Sequence, residues 1–221
     1  MTAECIVAFV AHEPDPPGDH EAGTSITALG RAGLAPGQMV QGYLQGAFPM
    51  DDEGATGPVG WYISDPRAVI VPADARVPPT VRRMLRRRGY GVRVDTAFAD
   101  VVRACGGERA GMWLTPRLAA AYDALHAEGI AHSVEAWDGD RLVGGLFGVW
   151  LRRFVTAESM FHRAPDAGNA ALAALLAVAA DIGAEVIDVQ MMSPHVQRFG
   201  ARKVTHDDFL AMLARALRDS D

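Results

Sequence analysis

From residue 80 onward, apolar positions switch between the helical period of about 3.6 residues and the strand period of two. Residues 80–88 predict a basic helix closed by Gly89, and residues 91–94 a strand. A helix over 98–105 ends at Gly106-Gly107. Thr115 followed by Pro116 supplies an N-cap and a first-turn proline for a helix that stops at Gly129. Strands at 131–137 and 141–151 flank the turn Asp138-Gly139-Asp140, and 154–161 reads as a third strand. Residues 170–182 are apolar all round and predict a buried helix, followed by a buried strand over 185–191. Thr205 with Asp208 three residues later resembles a capping box that opens a last helix reaching Leu217.

Upstream the periodicity is thinner. Residues 12–38 hold Asp-Pro-Pro-Gly and further glycines, and read as a mobile arm or irregular cover. Residues 40–48 predict a short helix stopped at Gly46 and ahead of Pro49. Residues 61–63 and 68–71 predict strands around the turn Ser64-Asp65-Pro66. Pro72, Pro78 and Pro79 mark a junction, so a small N-terminal α/β domain with the arm is expected over 1–74 and a larger domain over 75–221. Helices and strands mix throughout the larger part around an antiparallel meander, which makes the fold class α+β.

Composition narrows the functional classes. The 221 residues carry a net charge of −6, which argues against a protein that coats nucleic acid but leaves room for a local basic patch. An apolar fraction of 49% excludes intrinsic disorder. Cys5 and Cys105 form no CxxC pair, so neither a zinc ribbon nor a disulfide framework is expected. Glu4 stands where a signal peptide needs a basic region, and the longest apolar run, 170–180, falls short of the ~20 residues that span a bilayer. A cytoplasmic protein with no membrane contact is the expectation.

Polar residues in the predicted strands are the candidates for chemistry. Alternation puts Thr156, Glu158 and Met160 on one face, and Val186, Asp188 and Gln190 on one face of the strand that follows the buried helix. A carboxylate in a central strand is costly unless paired or hydrogen-bonded, which a structural network and a catalytic one both satisfy. Gly144, Gly145 and Gly148 inside a strand indicate a bulge, a bend, or close approach of another backbone or a ligand. No GxGxxG, Walker loop or GxSxG is present, and the seven histidines form no ligand pair. His126, His132 and His195 read as surface or core groups, and no metal is expected. Arg82, Arg83, Arg86, Arg87 and Arg88 form the dense cationic run, with like charges stacked at i,i+4. The run is either a solvated face or an anion-binding helix.

Trp61-Tyr62-Ile63-Ser64-Asp65-Pro66-Arg67 resembles the W-W-x-S-P-D-P-R block of leucyl/phenylalanyl-tRNA–protein transferases. Gly42-Tyr43-Leu44-Gln45-Gly46-Ala47-Phe48-Pro49 resembles the Y-x-x-G-x-F-P segment before it. Trp113, Ala131-His132-Ser133-Val134-Glu135, Gly144-Gly145-Leu146-Phe147-Gly148-Val149, Glu158-Ser159-Met160-Phe161 and Asp188-Val189-Gln190 follow in the family's order. The similarity spans residues 40–215. Departures are Tyr62 for the second Trp, Gly168-Asn169 for Ser-Lys, Pro116 for Arg, and a faint glycine-rich segment at 28–34.

The resemblance implies a GNAT-like mixed sheet with flanking helices in the larger domain. It also implies transfer of Leu or Phe (less often Met) from aminoacyl-tRNA to proteins with N-terminal Arg or Lys, marking them for degradation. It makes Asp188 and Gln190 the catalytic pair and Glu158 a carboxylate that contacts the reacting groups. Leu146, Met160, Leu172, Leu175 and Ile187 would line the amino-acid pocket, and Trp61 and Trp113 would hold the terminal adenosine. Alternation points Ile187 away from Asp188 and Gln190. The helix carrying Arg82, Arg83, Arg86, Arg87 and Arg88 would bind tRNA. No cofactor is implied, and a monomer is expected. The alternatives are an acyl-CoA-dependent GNAT enzyme, whose pyrophosphate turn is missing, and a non-catalytic aminoacyl-tRNA binding module.

Overall fold

The computed structural model describes residues 24–51, 56–106 and 113–218. Strand β1 (Ser25–Ala32) is followed by helix α1 (Pro36–Leu44), which has a proline in its first turn. Strands β2 (Phe48–Met50) and β3 (Val59–Asp65) complete an antiparallel sheet in the order β1-β3-β2. The irregular arm expected over 12–38 is therefore corrected from Ser25 onward; its part before residue 24 lies outside the described residues. A bulge at Ala28/Gly30 and an exposed Leu29 break the period of two, which hid β1 from its pattern. The short helix expected at 40–48 starts earlier and ends at Leu44, because Gly46 takes a φ of 75° and turns the chain into β2.

Strand β4 (Arg67–Ile70) already belongs to a second, eight-stranded sheet. A 3-10 turn at Pro72–Asp74 leads to helix α2 (Pro79–Arg88), strand β5 (Gly91–Val94) and helix α3 (Phe98–Cys105). Helix α4 (Pro116–Ala127) starts at Thr115, whose side chain accepts from the Leu118 amide. Strands β6 (Ala131–Asp138), β7 (Arg141–Leu151), β8 (Phe154–Thr156) and β9 (Ser159–His162) follow. Helix α5 (Ala167–Asp181), strand β10 (Val186–Gln190), helix α6 (Pro194–Arg198), strand β11 (Arg202–Val204) and helix α7 (His206–Ala216) close the chain. The strand order is β11-β4-β10-β8-β7-β6-β5, with β9 also on β7. Among the described residues only β8 and β10 pair in parallel within this sheet, and α5 lies on the connection that such a pair requires. Among the described residues no helix is long and apolar enough to cross a membrane.

The division expected between residues 74 and 75 would cut β4 from β10 and β11, both of which it bonds. The chain changes sheets at Asp65–Pro66–Arg67 instead. One cluster of buried side chains runs from Met39, Tyr43 and Trp61 beside the small sheet to Val101, Leu118 and Phe147 of the larger part. Helices α2 and α5 cover one face of the large sheet through Val81, Leu172 and Leu175. Helices α3, α4 and α7 cover the other, through Val101, Leu118 and Phe209.

The single strand expected over 154–161 is two. Ala157 gives its amide to Asp188 of β10, whereas Glu158 gives its own to Phe147 of β7. Consecutive amides thus bond opposite neighbours, and the sheet opens between β9 and β10. Gly148 permits this crossing: a Cβ there would stand 1.8 Å from the Thr156 carbonyl oxygen. At Gly144 a Cβ would meet Ala167 at 2.7 Å, so this glycine accommodates α5. The close approach foreseen for these glycines comes from the protein's own chain.

Gly148→Ala should therefore cost about 3 kcal/mol or more of stability by overpacking against backbone. Gly37→Ala, in α1 where a Cβ meets nothing within 4 Å, should raise stability by about 0.5–1 kcal/mol. Urea denaturation of the two variants measures both signs.

Candidate active site

Arg67 opens an apolar strand and is wholly buried. Burying a guanidinium requires a counter-charge, and Asp188 provides it in two parallel bonds, Nε–Oδ1 at 2.9 Å and Nη2–Oδ2 at 2.6 Å. The guanidinium lies 4.8 Å from the centroid of Phe48 and 4.6 Å from that of Phe209, so β2 and α7 sandwich it. Asp188 Oδ1 also accepts from the Gln190 amide at 2.9 Å, and Ser64 Oγ donates to the Gln190 carbonyl at 2.9 Å. These bonds hold Gln190 at a φ of 55°, in the left-handed region, at an irregularity in the β10–β4 ladder.

The turned Gln190 directs its side-chain amide across the opening of the sheet, where Nε2 donates to Glu158 Oε1 at 3.2 Å. Tyr122 on α4 donates to Glu158 Oε2 at 3.2 Å, and Tyr43 on α1 lies 2.8 Å from the Tyr122 oxygen. Burial holds both phenols well above their usual range, which keeps them as proton donors. Burial also pushes the Glu158 carboxyl up from 4.5 to about 7; the Asp188 charge acts in the same direction, against hydrogen bonding from Thr156 and the two tyrosines. Asp188, Gln190 and Glu158 are thus brought together in one chain of bonds running from Arg67 to Tyr43. Asp188 holds the backbone of Gln190, whereas its side-chain amide meets Glu158.

The shared face expected for Glu158 and Met160 does not form. Glu158 bonds α4 on one side, while Met160 packs with the α5 cluster on the other. That cluster contains Leu146, Leu172, Leu175 and Ile187, all buried, with Leu146 directly opposite Met160 across β7 and β9. Ile187 and Asp188 face opposite sides, as strand alternation requires. Trp61 is wholly buried, edge-on to Tyr43 with centroids 5.6 Å apart, and its six-membered ring fills the space a Cβ on Gly42 would take. It presents no face for a base to stack on, which corrects the adenosine role expected for it. Trp113 is partly buried beside α4, its carbonyl accepting from the Asp51 amide at 3.1 Å. All five arginines of α2 are exposed; Arg88 approaches Asp166 at 3.7 Å. Three of them end the helix, where the backbone dipole favours positive charge.

Arg67, Tyr43 and Tyr122 complete the bonded network of the candidate site, and pattern reading missed them. A lone cation opening the apolar run Arg67-Ala68-Val69-Ile70 was the available signal for the first. Glu135, a buried carboxylate, serves the fold: it accepts from Ser133 Oγ at 2.7 Å and from the Thr96 and Ala97 amides at 3.0 Å, where α3 begins.

The family model described as Leucyl/phenylalanyl-tRNA protein transferase matches residues 69–214. The leucyl/phenylalanyl-tRNA–protein transferase of Anaeromyxobacter dehalogenans (strain 2CP-C) is 43% identical over 188 residues, 83% of this chain and 80% of that one. The protein of the same description from Laribacter hongkongensis is 41% identical over 90% of this chain and 86% of its own. The one from Shewanella baltica is 34% identical over 97% and 92%. These matches place the chain among the aminoacyltransferases. It belongs to the leucyl/phenylalanyl-tRNA–protein transferase family. Among solved structures, L-PGS from Bacillus licheniformis aligns with a TM-score of 0.45 and 11% identity over 71% of this chain and 66% of that one, too weak a likeness to argue from.

Two stability predictions follow from the geometry. Arg67→Met, which strands Asp188 as a buried unpaired charge, should cost about 3–5 kcal/mol, and adding Asp188→Leu should recover most of it. Urea midpoints of the single and double variants test this. The raised Glu158 carboxyl binds a proton in the folded state that the unfolded chain has released. Its stabilising contribution is complete below 4.5 and disappears as pH rises through about 7. Glu158→Gln should remove that part of the pH dependence, read from unfolding midpoints across the same window.

Proposed function

We propose that the protein transfers leucine or phenylalanine from aminoacyl-tRNA to the α-amine of an acceptor protein beginning with Arg or Lys. The observation that carries this reading is the contact of Gln190 Nε2 with Glu158 Oε1, bridging the opening between β9 and β10. On the α5 side of that opening lie Leu146, Met160, Leu172, Leu175 and Ile187, a soft apolar wall suited to the amino-acid side chain. The splayed sheet with α5 packed on it supports a GNAT-like architecture for the larger part. Trp113 would stack on the terminal adenosine, and the arginines of α2 would meet the tRNA backbone. The protein works as a monomer in the cytoplasm, where charged tRNA is available.

An aminoacyl ester is already activated, and an α-amine of pKa ~7.7–8.0 is partly neutral near pH 7, so no covalent enzyme intermediate is needed. The amine nitrogen attacks the ester carbonyl and forms the new C–N bond. Gln190 donates its Nε2–H to Glu158, which leaves the amide carbonyl to accept an N–H of the amine and orient its lone pair. The proton released by nitrogen passes to Glu158, whose carboxyl near 7 suits a group that both takes and returns it. The C–O bond to the ribose then breaks, and the departing oxygen receives the proton. Asp188 and Arg67 position Gln190, and holding two substrates in register supplies ~7–11 kcal/mol of the rate advantage.

Incubation with leucyl-tRNA and a peptide starting with Arg or Lys should give a peptide heavier by one leucyl residue, abolished by RNase and indifferent to acetyl-CoA. Failure to form that product overturns the reading. Gln190→Ala should lower kcat/KM by about 100-fold without moving the urea midpoint; unchanged turnover would remove Gln190 from the mechanism. Wild-type kcat/KM should begin its rise with pH through about 7, and Glu158→Gln should lose that part and keep only the later rise as the acceptor amine deprotonates at ~7.7–8.0.

A further inference from the structure

A cleft of about 320 Å3 opens between the first turn of α5 and α6, lined by Asn169, Pro194, His195 and Arg198. It follows the active site in the chain, since Met191, Met192 and Ser193 alone separate Gln190 from its first α6 residue. Among the described residues no carboxylate lines it. His195 Nε2 is buried without a hydrogen-bond partner, and Arg198 makes no ion pair or hydrogen bond among the described residues. Burial first, then the Arg198 charge and His162, lowers the basicity of His195, and the fixed charge beside this ring is the Arg198 cation. Asn169 donates to Asp166 Oδ1 at 3.2 Å, and Arg88 Nε faces the other carboxylate oxygen at 3.7 Å, which ties the cleft to the arginines of α2.

We infer that this cleft binds a phosphodiester of the donor's 3′-terminal nucleotides, with Arg198 supplying the charge and His195 a ring N–H. The inference rests on the reading that the donor is an aminoacyl-tRNA. A guanidinium fork matches phosphate oxygens in geometry as well as charge. The ester that reacts beside Gln190 is joined to a ribose, and the 5′ phosphate of that nucleoside is the nearest anion the donor brings. The acceptor, with its Arg or Lys, carries the sign that the cleft repels. From here the nucleic-acid backbone continues toward Arg88 and the rest of α2, on the same side as α5.

The test compares leucyl-tRNA with leucyl-adenosine, the same ester without any phosphate, using the full-length protein. In Arg198→Gln the ratio of kcat/KM for leucyl-tRNA over leucyl-adenosine should fall about tenfold, and the salt slope of tRNA binding should drop by about one. His195→Gln should lower the same ratio. An unchanged ratio in an active protein overturns the cleft assignment alone. An equal fall for both donors also overturns it, since the residues would then serve the reacting groups, the base or the fold. Wild-type protein that transfers from neither donor overturns the underlying reaction, and this assignment with it.

Discussion

The buried pair of Arg67 and Asp188 is the constraint on which the rest of the site depends. Two charges taken out of water are tolerable only when each satisfies the other, and here the geometry is bidentate. The aromatic rings of Phe48 and Phe209 close over the guanidinium, so one pair binds the small sheet, the large sheet and the last helix together. The same carboxylate restrains the Gln190 backbone in a left-handed conformation that residues other than glycine adopt uncommonly. Without Asp188, the Ser64 bond alone would be left to hold the Gln190 backbone in its turn toward Glu158.

The second constraint is the parting of β8 and β9. A continuous strand would have set polar and apolar groups on one face and left the other for structure alone. Breaking it after Thr156 lets α5 hold the apolar residues on one side while Tyr43 and Tyr122 hold Glu158 on the other. The two halves meet only where the sheet is open, a place where an ester can present its side chain to one face and its carbonyl to the other. Under the proposed function, recognition and bond-making would be separated by the thickness of a sheet and joined through its gap.

Much of this was legible in the sequence. Helices α4 and α7 announce themselves through the caps Thr115 and Thr205, α2 through the Gly89 that closes it, and Asp188, Gln190 and Glu158 stand out as polar groups in apolar strands; the short helix α6 has too few residues to show a period. The break at Ala157 was not legible, because it arises from which neighbour each amide bonds, and nothing local to residues 154–162 states that. Trp61 misled for a similar reason: a tryptophan in a motif looks like a stacking platform until Gly42 is found beneath its ring. Strand β1 was hidden by a bulge, and Arg67 was passed over because its partner lies far along the chain.

That distance has a consequence for biogenesis. Arg67 and Asp188 are 121 positions apart, so on a ribosome the guanidinium emerges long before its counter-ion is translated. The nascent N-terminal half must keep this cation hydrated with Phe48 as its one cover, until Asp188 and Phe209 arrive in the final third. Catalytic competence is therefore acquired in one late event, and a prematurely terminated product would carry the tyrosines and the basic helix yet have no centre to serve.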